Sequence, residues 1–296
     1  MADSRRQSLL NRQRAVSRVL LRVLFLNLAV AGAKLTFGYA TGVVSMISDG
    51  FHSLTDTASN VMGLAASRVS RKPPDEDHPY GHRKFETLAA AGIFVFLLLV
   101  VVEVVRAALD RLGGAGSPGV TGWSFAVMLG TLVVNLFVVR YERAEGRRLN
   151  SELLHADATH TQSDVMTSCA VILALIAVRA GYPIFDPISA LLIAGFIARS
   201  GWHIARDTSG ILSDRVALNE DDIRTVVMSV PEVLGCHHIR SRGPEDYTFL
   251  DLHVWFRGEI TLYEAHRLSH VVKDLLMERF PQIADAIIHI EPPPAT

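Results

Sequence analysis

Six stretches of roughly 20 mostly apolar residues follow one another through the first two thirds of the chain. They run from Leu20 to Ala40, Val44 to Ser67, Glu86 to Leu109, Thr121 to Tyr141, His160 to Ala180 and Ile184 to His203. A hydrocarbon core takes ~20 such residues per helix. Inside it, only segments that satisfy their own backbone hydrogen bonds are tolerated, so runs of this length fold as membrane-spanning helices. The second and fifth runs are the polar ones. Composition agrees: 49% of the 296 residues are hydrophobic, 20% are charged, and the mean hydropathy is +0.27. Such a chain is neither disordered nor an ordinary soluble enzyme.

The apolar run after the basic N-terminus is too long for the core of a signal peptide and is expected to be a first span. Short loops rich in Lys and Arg stay on the cytoplasmic side. Arg5, Arg6, Arg12, Arg14 and Arg18 precede the first run. Arg68, Arg71, Lys72, Arg83 and Lys84 follow the second, and Arg143, Arg147 and Arg148 follow the fourth. The alternate loops, near Gly42, Gly113 to Gly119 and Gly181 to Pro183, are short and nearly uncharged. Both termini are therefore expected in the cytosol. The expected organisation is a cytoplasmic segment over 1–17, a six-helix transmembrane domain over 18–210 and a cytosolic domain over 211–296.

The tail reads as ordinary soluble alternation. Asn219 opens a short helix and Cys236 to Arg240 is a short strand. Phe249, Leu250, Leu252, Val254 and Phe256 fall in a second strand, Thr261 with Glu264 forms a capping box, and Ala286 to Ile290 is a last strand. The order predicts a small α+β, ferredoxin-like, split-βαβ domain.

With 29 Lys and Arg against 30 Asp and Glu, no bulk attraction to nucleic acid follows. Cys169 and Cys236 make neither a disulfide framework nor a zinc-spaced cluster. The 12 histidines carry the chemistry instead. His52 and Asp56 lie in the second run, His160 and Asp164 in the fifth. A spacing of four puts both members of each pair on one helix face. Ionisable groups in hydrocarbon cost several kcal/mol and face a partner, a cavity or an ion. If the two helices pack, two imidazoles and two carboxylates converge in a four-ligand shell, the number usual for zinc. The same pairs would also serve an interhelical hydrogen-bond network.

The runs Ser48-Asp49-Gly50-Phe51-His52-Ser53-Leu54-Thr55-Asp56 and His160-Thr161-Gln162-Ser163-Asp164-Val165 together resemble the paired signatures of the cation diffusion facilitators, including bacterial zinc exporters. The resemblance covers nearly the whole chain. It implies a homodimeric antiporter in the lipid bilayer of the cell membrane that exports a divalent metal against protons. His52, where the family has His or Asp, is the arrangement that the resemblance links to zinc. Iron, cadmium, cobalt, nickel and manganese stay open as substrates.

Two more groups of candidate ligands follow. Asp75, His78 and His82 lie within eight residues of a loop in which Gly81 permits a bend, and they match the family's loop site. His237, His253, His266, His289 and Glu291 are scattered through the tail. The resemblance brings them together at a zinc site near a dimer interface, with Glu291 where Asp is common, and it pairs Lys84 with Asp214 at the dimer's centre. Solvated surface histidines are the alternative account of both groups. Lys34 is expected to snorkel to the outer surface, and Asp49 to support His52, relay protons or face an aqueous vestibule. No HExxH run is present, and four protein ligands leave no open coordination position for a hydrolase. The chain is not expected to be an enzyme. A membrane metal sensor that moves nothing is the rival from a different class.

Overall fold

The structure, a computed structural model, describes residues 2–114, 118–149 and 151–294. Six long helices come first: α1 (Ala2–Thr41), α2 (Val44–Ser70), α3 (Lys84–Leu112), α4 (Gly122–Leu149), α5 (Glu152–Arg179) and α6 (Phe185–Leu212). They are followed by α7 (Glu220–Val227), β1 (Gly235–Arg242), β2 (Thr248–Trp255), α8 (Leu262–Arg279) and β3 (Ile283–Glu291). The loop expected over 113–119 lies partly outside the described residues. Helix α1 begins at Ala2 and runs without a break through the basic stretch into the first apolar run.

Among the described residues, five helices are long and apolar enough to cross a membrane; α2 is not. Ser45, Ser48, Asp49, His52, Ser53, Thr55, Asp56 and Thr57 crowd its first half and lower its hydropathy. Six long helices thus form as expected, but five meet the apolar criterion.

The chain divides into two compact units, residues 1–68 with 89–204, and residues 69–88 with 205–296. The loop after α2 therefore groups with the tail. In the helical unit, the usual distribution of polarity is reversed. Phe25, Leu99, Val133, Phe137, Leu173, Leu192 and Phe196 are exposed, whereas Lys34, Ser45, Ser48, Asp49, Ser168 and Asp186 are fully buried. Outward apolar faces suit a lipid solvent, in which polar side chains must find partners inside the protein. Helix α4 packs along α5 and α1. A continuous core joins Val43, Val44 and Met46 of α2 to Leu97, Val100 and Val104 of α3, Met128 of α4, Val171 and Leu175 of α5, and Ile193 and Ile197 of α6.

The start of α2 is fixed by α6. Gly42, at φ +65°, turns the chain after α1, a conformation that glycine adopts without Cβ strain. The free amides of Val44 and Ser45 then donate to the Asp186 carboxylate at 3.0 and 2.9 Å, and the Ser45 hydroxyl donates to it at 2.6 Å. A carboxylate at a helix N-terminus satisfies orphan amides and complements the helix dipole.

In the second unit the sheet order is β1-β2-β3, with β1 antiparallel and β3 parallel to β2. Parallel neighbours need a crossover, and α8 supplies it. The N-caps are those the sequence predicts: Asn219 accepts from the Asp221 amide and Thr261 from the Glu264 amide. Along β2, Thr248, Leu250, Leu252 and Val254 point into a core with Ile223, Leu268, Val272 and Leu276, so Phe249, Asp251, His253 and Trp255 take the other face.

Removing the carboxylate that caps α2 should loosen that helix locally. Asp186→Ala is expected to cost about 1–2 kcal/mol. Hydrogen exchange by mass spectrometry should show faster exchange at residues 44–48, with Asp186→Asn intermediate; unchanged protection there would contradict the capping role.

Candidate metal centres

Helices α2 and α5 bring the two predicted pairs together. His52 Nε2 lies 3.6 Å from Asp164 Oδ1, and His52 Nδ1 lies 3.7 Å from Asp56 Oδ2. His160 Nε2 lies 3.2 Å from Asp56 Oδ1. Ligand atoms of His52, Asp56 and Asp164 all fall within 4.8 Å of one another. His160 reaches the group through Asp56 and is half exposed, whereas Asp164 is buried. Distances of 3.6 and 3.7 Å are too long for hydrogen bonds, and Asp56 Oδ2 and Asp164 Oδ1 are indeed buried without a donor. Buried acceptors are rarely left so. An arrangement of two imidazoles and two carboxylates, with oxygens aimed inward and unsatisfied, can receive a cation.

Beside these residues, Lys34 departs from the outer-surface position expected of it. Lys34 does not snorkel. Its ammonium is fully buried, 2.8 Å from Asp49 Oδ2, and donates to Ser168 Oγ at 2.9 Å and Ser53 Oγ at 3.2 Å. Ser168 in turn donates to Asp49 Oδ2 at 3.1 Å. Snorkelling relieves a lysine only where water is nearer than a counter-ion; here the counter-ion is inside. Asp49 therefore serves Lys34 instead of His52. The network ties α1, α2 and α5 at the level of the candidate ligands. A lysine two thirds of the way along the first apolar run, followed by an aspartate early in the second, was the signal available.

In the loop after α2, ligand atoms of Asp75, His78 and His82 lie within 4.8 Å of one another. Asp75 Oδ1 accepts from the His78 amide at 2.8 Å and lies 3.3 Å from His78 Nδ1, while Asp75 Oδ2 lies 3.3 Å from His82 Nε2. Gly81, at φ +80°, makes the turn. Bonding to His78 holds the Asp75 carboxyl below the usual carboxylate range. His82 is buried and stacks on Phe85, and its Nδ1 has no partner.

The tail group is a row across the outward face of the sheet. Strand register sets His237 opposite His253, His253 beside His289, and Trp255 beside Glu291. Glu291 is the hub. Its Oε1 lies 2.7 Å from His253 Nδ1 and 3.4 Å from His289 Nε2, and its Oε2 lies 3.3 Å from His237 Nε2 and accepts from Trp255 Nε1 at 3.3 Å. The His253 bond, foremost, lowers its pKa. Gly235 leaves room for Trp255, whose ring a Cβ there would meet at 2.5 Å. His266 is not brought to this group. Helix α8 turns Ala265, Leu268, Val272 and Leu276 inward, which leaves His266 and His270 exposed with their rings 4.7 Å apart. Lys84 Nζ stands 3.9 Å from Asp214 Oδ1 within the one chain, and Arg242 shares that carboxylate.

Apolar-faced helices that gather imidazoles and carboxylates from α2 and α5, followed in the chain by a small sheet domain, define a multi-pass membrane protein that handles cations. The model of the cation efflux transmembrane domain matches residues 20–213, and that of the cation efflux protein cytoplasmic domain matches residues 217–293. The chain belongs to the cation diffusion facilitator family and is a divalent-cation efflux transporter. It is 33% identical to the cation-efflux pump FieF of Serratia proteamaculans over 262 residues, 88% of this chain and 87% of that one. It is 29% identical to an uncharacterized transporter of Methanocaldococcus jannaschii over 94% of this chain and 99% of that one. The metal-bound C-terminal domain of the CzcD transporter from Thermotoga maritima is 29% identical over 24% of this chain and 84% of that one, with a TM-score of 0.24.

Truncating one member of a buried ion pair strands the other. Lys34→Met is expected to cost about 3–5 kcal/mol, and Lys34→Met with Asp49→Leu to recover most of that. Thermal unfolding of the two variants in detergent checks this. A double variant no more stable than the single one would remove the charge-pair account.

Proposed function

We propose that this chain exports zinc from the cytosol in exchange for protons, and that His52, Asp56, His160 and Asp164 bind the ion in transit. The observation that carries this is the convergence of these four side chains from α2 and α5, with two buried oxygens that receive no hydrogen bond. Two nitrogen and two oxygen donors suit zinc better than an all-oxygen set does. In this proposal α2 is a sixth, polar span enclosed by the other helices, and both termini lie in the cytosol of a cell whose plasma membrane holds the protein. His160, the most exposed of the four, meets the incoming ion first; Asp164, buried, closes behind it.

Release needs a competitor. Neutral imidazole binds metal and imidazolium does not, so protons arriving from outside eject the ion and return inward. The chain acts as a homodimer, with Lys84 and Asp214 near its centre. The loop group Asp75, His78 and His82 and the tail group His237, His253, His289 and Glu291 hold further zinc ions that steady the protein and couple its activity to cytosolic metal.

Zinc entry into proteoliposomes with a fluorescent indicator inside, with and without an imposed pH gradient, tests the central assignment. His160→Ala and Asp164→Ala are each expected to lower gradient-dependent flux by about 100-fold or more while the fold stays intact. Full flux by either variant would refute the site. A relative that is 26% identical over 95% of this chain is named as a manganese efflux system protein of Bacillus subtilis, so manganese is the metal to set against zinc. The imidazoles should favour zinc by about tenfold or more. Equal or faster manganese entry would displace zinc as the substrate.

Acid should act on the tail through its histidines. Bonding to His253 lowers the Glu291 pKa, so any stability its carboxylate contributes is full above the ordinary carboxylate range and is lost as pH falls from there through the lowered value. Protons compete with metal for ring nitrogens, so zinc affinity of the tail is expected to be lower at pH 5 than at pH 7. Glu291→Gln should weaken binding at both pH values and leave that pH dependence in place. Calorimetric zinc titration of the full chain, compared with His253→Ala, gives the tail's share. A pH dependence abolished by Glu291→Gln would place the titrating group on the carboxylate instead.

A further inference from the structure

Helices α4 and α5 bury a second group of oxygens outside the four-residue set. Glu142 of α4 is fully buried. Its Oε2 lies 3.2 Å from the Thr161 hydroxyl, which also lies 3.1 Å from the backbone oxygen of Asp157. Its Oε1 receives no hydrogen bond. Against it lies the carboxyl group of Asp157, half buried, one turn before Thr161 on α5. Among the described residues, neither carboxylate forms an ion pair with Lys or Arg. Two carboxylates in contact, one of them fully buried, repel each other, so a cation or a shared proton belongs between them.

Position along α5 says which way such a cation would go. Asp157, Thr161 and Asp164 recur at four and then three residues, which aligns them on one face of the helix. At 1.5 Å per residue, Asp157 stands about 10 Å from Asp164 along the axis. The outer member is half exposed and the inner ones, Glu142, Thr161 and Asp164, are buried, so the stripe leads from an accessible carboxylate to the intramembrane ligands.

We propose that Glu142 and Asp157, with the Thr161 hydroxyl, form an oxygen-only divalent-cation site where the ion halts before it passes to His52, Asp56, His160 and Asp164. This rests on the proposed transport site being correct. The donor chemistry supports the division of labour. Carboxylate and hydroxyl oxygens without imidazole hold first-row cations more loosely than a nitrogen-containing set does, so an ion bound there is readily surrendered to one. Glu142 supplies a fixed, buried anchor and Asp157 the exposed, exchanging ligand.

Manganese is the probe, because it favours oxygen donors and its free aqua ion is counted directly by electron paramagnetic resonance. The full chain in lipid nanodiscs is titrated alongside Glu142→Gln, Asp157→Asn, Glu142→Asp, His160→Ala and the double variant Glu142→Gln/His160→Ala. The expected result is that Glu142→Gln and Asp157→Asn each lose the same single weak equivalent per chain, that Glu142→Asp keeps it, and that His160→Ala keeps it too. The double variant should lose more than either single one. In zinc flux, Glu142→Gln is expected to lower kcat/KM by about tenfold with kcat at saturating zinc within about twofold. An unchanged manganese count in Glu142→Gln and Asp157→Asn would overturn the site and leave a proton between the two carboxylates. Loss of the same equivalent in His160→Ala would overturn its separateness. Full zinc flux by His160→Ala would instead sink the transport-site assignment, which the manganese count does not read, so the two failures are told apart.

Discussion

A lysine ammonium held against an aspartate inside a bundle of apolar helices sets the terms for everything around it. Lys34 and Asp49 are both fully buried, and each would be too costly to keep in hydrocarbon alone. Ser53 and Ser168 complete the ammonium's hydrogen bonds, so the charge is compensated only while α1, α2 and α5 stay in one arrangement. His52 and Asp56 are carried on the same helix as Asp49 and Ser53, and Asp164 on the same helix as Ser168. Precision at the candidate ligands is thus inherited from a neighbour that touches none of them.

The second unit reaches similar precision by a different route. Strand alternation commits Leu250, Leu252 and Val254 to the core and therefore commits His253 to the open face, where register adds His237 and His289 in one line. No loop has to be ordered to gather these residues. One carboxylate, Glu291, then meets three imidazoles and an indole, a concentration of donors around a single acceptor group that is unusual for a solvent-facing strand end.

Much of this was legible beforehand, for identifiable reasons. Helical spacing alone paired His52 with Asp56 and His160 with Asp164, and turn and cap chemistry located the tail elements to within a few residues. Three features were not. A lone lysine in an apolar run normally escapes outward, so sequence puts Lys34 at the surface, and only packing reveals that its counter-ion is one helix away. The resemblance places His266 with the other tail histidines, and linear sequence does not tell which side of α8 faces the sheet; the stripe Ala265, Leu268, Val272 and Leu276 decides it. Glu142 and Asp157 carry no signal in the sequence, because each sits near the end of its helix among ordinary charges, where carboxylates are commonly solvated, and their contact depends on how α4 lies along α5.

The bond from Asp186 to the first turn of α2 has a mechanical meaning as well as a stabilising one. It pins the beginning of α2 to the beginning of α6 at a single carboxylate, so the two helices share a fulcrum there. His52 lies eight residues beyond Val44, about 12 Å up the lever at 1.5 Å per residue. A tilt of about 10° about that fulcrum carries the imidazole through roughly 2 Å, comparable to one metal–ligand bond length. Small angular play at one end of a helix is therefore enough to make or break coordination at its middle, with no bond in the fulcrum itself disturbed.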